Sequence, residues 1–240
     1  MTTSTSAPLR LYLMRVANMP PVNIPVPCYL IQTGDGKNIL IDSGLPPGVT
    51  EGPPGMPAPT IEKNVIEQLA IIGLQPAAID MLICTHFDQD HAGHHNAFPN
   101  AELIVQRQHY EVASGGHARF AGSRAYWDVP ASRYRQVDGD TELLPGLTLI
   151  ETSGHVPGHQ SVLVRLPHTG PVLLTIDAVT MQEHFTPDRP TERFDADEEG
   201  TRASTRKLLD IAQREHVALV IFGHDGPQWQ TLKKLPEFYD

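Results

Sequence analysis

Thr85-His86-Phe87-Asp88-Gln89-Asp90-His91-Ala92-Gly93 sets four His and Asp side chains within six residues, directly after the mostly apolar run Ile79-Asp-Met-Leu-Ile-Cys-Thr85. The run has the length and composition of a buried strand, so the polar cluster falls at a strand end. In extended backbone His86 and Asp88 project to the same side, because side chains alternate with a period of two. A turn at Gln89 would bring Asp90 and His91 in from another direction, and such a loop could serve two metal ions. The plainer reading is a polar loop that starts a helix, with Asp90 as its N-cap.

The same arrangement recurs further along the chain. Thr152-Ser-Gly154-His155-Val-Pro-Gly158-His159-Gln160-Ser161 holds a histidine between glycines and a proline, which fixes tight turns. Leu173-Leu-Thr-Ile-Asp177-Ala178 ends an apolar run on a carboxylate, and Phe222-Gly223-His224-Asp225-Gly226 ends one on a histidine. Taken singly, these are also what surface turns and caps look like. Several strands ending on His or Asp describe a site built on strand-end loops.

Leu9–Met14 and Cys28–Gln32 have strand character, and Asn38–Asp42 closes a hairpin after the turn Gly34-Asp-Gly36. Residues 43–59, rich in Pro and Gly, form a loop. Thr60 is placed to cap a helix running to about Ile72, with Ile61, Val65, Leu69 and Ile72 on one face and Gly73 beyond it. A strand over Ala101–Gln106 and a short helix over Arg107–Ala113 follow. Residues 114–130 show no period and contain Phe120, Tyr126 and Trp127; they are expected to form a loop overhanging the site. Strands at Leu147–Glu151, Ser161–Arg165 and Val172–Ile176 precede an amphipathic helix over Asp197–Arg214 and a last strand at Ala218–Phe222. Hairpins followed by mixed strands and helices predict an α/β sandwich.

Composition narrows the function classes. A chain of 240 residues with 40% hydrophobic and 19% charged side chains suits one ordered domain over 1–240. The formal net charge of −10 argues against partners that are nucleic acids or anionic membranes. The start, Met1–Pro8, lacks a secretory pattern, and no apolar run has the roughly 20 residues that span a bilayer. Cys28 and Cys84 lie in apolar stretches and are expected to be small buried hydrophobes in a cytoplasmic protein. No Gly-x-Ser-x-Gly elbow or reactive-cysteine motif offers a side-chain nucleophile.

Taken in order, Leu40-Ile41-Asp42-Ser43-Gly44, the loop at His86, the turn at His155–Ser161 and Leu-Leu-Thr-Ile-Asp177-Ala resemble the metallo-β-lactamase superfamily. Within it, they resemble most the N-acyl-homoserine lactone lactonase branch. The resemblance spans Cys28 to His224 and implies an αββα sandwich with a dinuclear metal site. It assigns His86, Asp88 and His155 to a first ion, and Asp90, His91 and His224 to a second, with Asp177 bridging both. Asp42 and His159 would support these ligands. The implied activity is hydrolysis of a lactone or related ester, a small-molecule substrate, by a metal-bridging hydroxide, with Asp90 protonating the leaving alkoxide. A glyoxalase II-like thioesterase, a β-lactamase-type hydrolase and a di-iron redox protein share the site and stay open, as does a homodimer. Two departures bear on chemistry. The motif His-x-His-x-Asp-His has Asp88 at its second histidine, where flavodiiron proteins carry Glu, so iron or manganese joins zinc as a candidate ion. A Tyr of the lactonase branch, three residues after the bridging Asp, is Thr180 here.

Overall fold

The computed structural model describes residues 6–20, 23–52, 55 and 57–240. Its first sheet runs β1 (Pro8–Met19), β2 (Ile24–Thr33), β3 (Asn38–Ile41), β4 (Met81–Ile83), β5 (Glu102–Gln106) and β6 (Tyr134–Val137), in spatial order β1-β2-β3-β4-β5-β6. The second is built from β7 (Thr141–Leu144), β8 (Leu147–Glu151), β9 (Gln160–Leu166), β10 (Gly170–Ile176) and β11 (Leu219–Phe222), in order β11-β10-β9-β8-β7. The first three strands pair antiparallel, whereas β3 to β6 pair parallel, as do β10 and β11.

The period of two explains the layers. Leu11, Leu13, Ile39, Ile41, Ile83 and Ile104 face Leu149, Val162, Val164, Val172 and Leu174 between the sheets. Their neighbours Tyr12, Met14, Leu40, Leu82 and Leu103 point the other way, into a core shared with α1 (Val65–Ile71). On the opposite face Ile150, Leu163 and Leu173 meet Leu208 and Ile211 of α4 (Glu198–Arg214). Two shorter helices, α2 (Arg107–Ser114) and α3 (Arg124–Trp127), lie on the first sheet's side, and α5 (Gly226–Thr231) follows β11. The expected αββα sandwich is the observed architecture.

Two local expectations change. Helix α1 starts at Val65, because Asn64 makes a reciprocal capping box with Glu67; Thr60 instead bridges Asn18. Residues 114–130 are not an open loop: they hold short helical turns. Their Phe120 and Trp127 are buried, and Trp127 stacks on Phe87 at 4.6 Å. β6 and β7 are too short and polar to have been read as strands.

Candidate metal centre

The loops that follow β3, β4, β10 and β11 open at one edge of the sandwich, and the turn between β8 and β9 joins them there. This is where an α/β sheet offers its strand ends to a ligand. Two backbone conformations help to aim the side chains. Asp42 and Ile176 adopt φ of 58° and 52°, a region that costs a non-glycine residue on the order of 1 kcal/mol or more. Gly223 permits the second of these, since a Cβ there would stand 2.4 Å from the Ile176 carbonyl oxygen.

Each of four histidines is oriented by a hydrogen bond on its outer side. His91 Nδ1 donates to Asp42 Oδ2 at 2.8 Å. Thr85 Oγ1 donates to the same carboxylate oxygen at 2.7 Å, so it accepts from His86 Nδ1, 3.1 Å away. His155 Nδ1 donates to Asp195 Oδ1 at 3.2 Å, and His224 Nδ1 to the Pro25 carbonyl at 2.8 Å. A neutral ring that donates through Nδ1 keeps its lone pair on Nε2. All four Nε2 atoms turn inward.

They meet the carboxylates of Asp88, Asp90 and Asp177. Asp177 is central: its Oδ2 lies 3.9 Å from His86 Nε2 and 3.4 Å from His155 Nε2. Its Oδ1 lies 3.5 Å from His91 Nε2 and 3.2 Å from His224 Nε2. Asp88 Oδ2 stands 3.4 Å from His86 Nε2 and 3.2 Å from His155 Nε2. Asp90 Oδ2 stands 3.7 Å from both His91 and His224. Donor atoms of His86, Asp88 and His155 fall within 4.8 Å of one another, as do those of Asp90, His91 and His224. All seven residues singled out in the sequence are thus brought together.

A divalent ion fits this donor set. His86 Nε2, His91 Nε2 and Asp177 Oδ1 are buried without a hydrogen-bond partner, a costly state for polar atoms unless a ligand answers them. The electrostatics agree. Burial pushes the His155 imidazole down, but Asp195, Asp88 and Asp177 outweigh it and hold it up at about 9. His224 is likewise driven down by burial and raised to about 9 by Asp177 and Asp90. Asp177 is disfavoured as an anion by burial, yet His224 and His91 hold its carboxyl well below the usual range. Such a cluster takes up positive charge, as protons or as metal.

The supporting residues are as informative. His159 accepts from the Asp177 backbone N–H at 3.2 Å and pairs with Thr152 at 2.8 Å. His109 accepts from the Phe87 N–H and donates to the Pro157 carbonyl, fastening the two histidine loops together. His94 and His95 are buried beside Ser43, whereas His117, His168 and His216 are exposed; His184 is partly buried against Glu192. Sequence reading missed Arg119, which forks onto Asp88, and the group Arg189, Glu192 and Asp195 behind His155. None of these carries a periodicity or motif; only the aperiodic stretch around Arg119 was marked as overhanging the site. Thr180 Oγ1 donates to Glu192 at 2.6 Å.

The cluster floors a cavity of about 840 Å³ whose walls include Met19, Ile24, Leu45, Val49, Met181 and Phe194. Residues 114–130, expected to overhang the site, contribute Arg119 to its wall, and the early stretch 22–27, whose sequence is also expected to shape the pocket, contributes Ile24; Val22 lies outside the described residues.

Comparison with known proteins agrees with this geometry. Residues 22–224 match the family model of the metallo-beta-lactamase superfamily. An N-acyl homoserine lactonase of a Bacillus species is 36% identical over 90% of this chain and 88% of its own. The N-acyl homoserine lactonase AttM of Rhizobium radiobacter is 36% identical over 94% of this chain and 91% of its own. Among solved structures, an N-acyl homoserine lactone hydrolase with N-hexanoyl-L-homoserine at its catalytic metal center superposes with a TM-score of 0.86. It is 30% identical and covers 97% of this chain and all of its own. Sequence, fold and strand-end cluster agree: the chain belongs to the metallo-beta-lactamase superfamily.

Proposed function

We propose that this protein is a metal-dependent hydrolase that opens the lactone ring of N-acyl homoserine lactones, and so quenches signals of that class. The single observation that carries the reading is the convergence of four Nε2 lone pairs on Asp177, each ring held from behind. His86, Asp88 and His155 would hold one divalent ion and Asp90, His91 and His224 the other, with Asp177 shared. Bound there, two such ions supply a hydroxide at neutral pH and polarise the carbonyl it attacks. Zinc is the ion we favour, with manganese and iron better competitors here than at an all-histidine site because Asp88 is a hard oxygen ligand.

The chain's own residues would do the rest. The apolar walls at Met19, Ile24, Leu45 and Val49 would take the acyl chain and exclude water from it. Asp90 lines the cavity with its side chain 22% exposed, open enough to carry a proton on its carboxylate oxygen to the leaving alkoxide. Thr180 spends its hydroxyl hydrogen on Glu192, so it does not replace the phenol of the lactonase branch at the carbonyl. Losing one such donor costs about 1–3 kcal/mol of transition-state binding, which predicts modest turnover. A cytoplasmic location fits the two buried free thiols, Cys28 and Cys84; among the described residues no helix is long and apolar enough to cross a membrane.

A panel of acyl-homoserine lactones, simple lactones, thioesters and β-lactams, run on metal-loaded protein, tests the reading. The lactones should have the highest kcat/KM. A β-lactam or a thioester as best substrate would overturn it.

A further inference from the structure

Counting ligands alone makes the proposed centre neutral: two divalent ions against Asp88, Asp90, Asp177 and one hydroxide. That count omits Arg119. Its Nε donates to Asp88 Oδ1 at 2.7 Å, and its Nη2 donates to Asp88 Oδ2. Its Nη1 is tied down to the carbonyls of Phe194 and His155. The fork is a planar, bidentate guanidinium–carboxylate pair, a geometry that fixes both partners. The same Nη2 sits 2.8 Å from His155 Nε2. In the neutral ring that a metal ion requires, with Nδ1–H on Asp195, the Nε2 lone pair faces this N–H. Arg119 therefore draws on two of the donor atoms assigned to the first ion, Asp88 Oδ2 and His155 Nε2. Asp90 and Asp177, in contrast, face histidine nitrogens.

We propose that Arg119 is a positioning residue that works with Asp88 as one unit at the first metal position. It holds the carboxylate in place, returns the positive charge that an aspartate in this place removes, and competes with the ion for its ligands. The two positions consequently bind metal unequally. The one at Asp90, His91 and His224 is filled tightly, and the one at His86, Asp88 and His155 is filled weakly and exchanges. This rests on the two-metal reading above.

The charge logic also fixes what single and double substitutions do. Asp88→His leaves the Arg119 guanidinium facing a neutral ring and two cations, so it should expel the first ion. Removing Arg119 as well should let it return.

The test loads the protein with Zn2+, dialyses it against increasing chelator and counts metal per chain by mass spectrometry. Wild type should lose its ions in two separate steps. Arg119→Met should shift only the weaker step, to at least about tenfold tighter binding, because a fixed charge beside the ion is gone. Arg119→Lys, which keeps the charge but not the fork, should stay closer to wild type. Asp88→His should hold one ion, and the Asp88→His, Arg119→Met pair two. Release of both wild-type ions in one step, or an Arg119→Met profile that overlays wild type, overturns the inference while leaving the two-metal reading intact. A wild-type protein that holds no zinc removes both.

Discussion

At the scale of single residues, the centre is controlled by groups that touch no ion themselves. Asp42 accepts from His91, from the Thr85 hydroxyl and from the Thr85 N–H at 2.9 Å, so one buried carboxylate aims two rings. Asp42→Asn keeps the volume but turns one oxygen into a donor facing donors. Partners of this kind are worth 10- to 100-fold in metal affinity, and zinc titration of the variant should show a loss of about that size. The raised histidines give a second expectation. In metal-free protein His155 and His224 titrate at about 9, against roughly 6.5 in the unfolded chain. Between these values the two histidines bind more protons in the native than in the unfolded state, so the stability they contribute is fully present below about pH 6.5 and is lost as pH rises through about 9. Each histidine contributes a slope on the order of 1.4 kcal/mol per pH unit. Chemical denaturation of chelator-stripped protein from pH 6 to 9.5 should show the decline, and zinc, by replacing the protons, should flatten it. A rise in metal-free stability over that range would contradict the electrostatics.

At the scale of elements, strand ends carry the site, and tight backbone contacts set where they end. Gly154, with φ of 140°, lies against the start of α4: a Cβ there would stand 2.2 Å from the Thr201 nitrogen. The Gly154 carbonyl also accepts from the Ala196 and Asp197 N–H groups. Gly154→Ala should thus cost about 1–3 kcal/mol of overpacking, measured by denaturant titration, and should lower zinc affinity by moving His155. This level also shows what sequence could and could not convey. Strands β8 to β11 were legible as short apolar runs and helix α4 by its amphipathic pattern, whereas β7 carried no such signal. The His86–His91 loop was legible because ligands cluster in six residues. Arg119 was not, since a guanidinium 31 positions from Asp88 meets it only through the packing of Phe120 and Trp127. The partners of the His155 and His224 Nδ1 atoms were equally hidden, because Asp195 and Pro25 reach them through tertiary structure; Asp42 was expected to support the site only through the family resemblance. The start of α1 was misread because Asn64 and Glu67 make a stronger cap than Thr60 could.

At the scale of the whole molecule, two sheets, each with its outer face covered, form a rigid base. A cavity of about 840 Å³ opens at one edge, with carboxylates and imidazoles below and apolar walls above. A substrate that suits both parts has a polar ring able to be hydrolysed and an apolar tail, which describes an N-acyl homoserine lactone. In the proposed reaction the ester bond of the ring, and not the amide, is broken. The direct measurement is the mass of the product formed when zinc-loaded protein is incubated with N-hexanoyl-L-homoserine lactone. Wild type should form a single product one water molecule heavier, N-hexanoyl-L-homoserine, and Asp177→Ala should lose that activity together with bound metal. Release of hexanoate and intact homoserine lactone, or a full rate in Asp177→Ala, would contradict the proposed reaction.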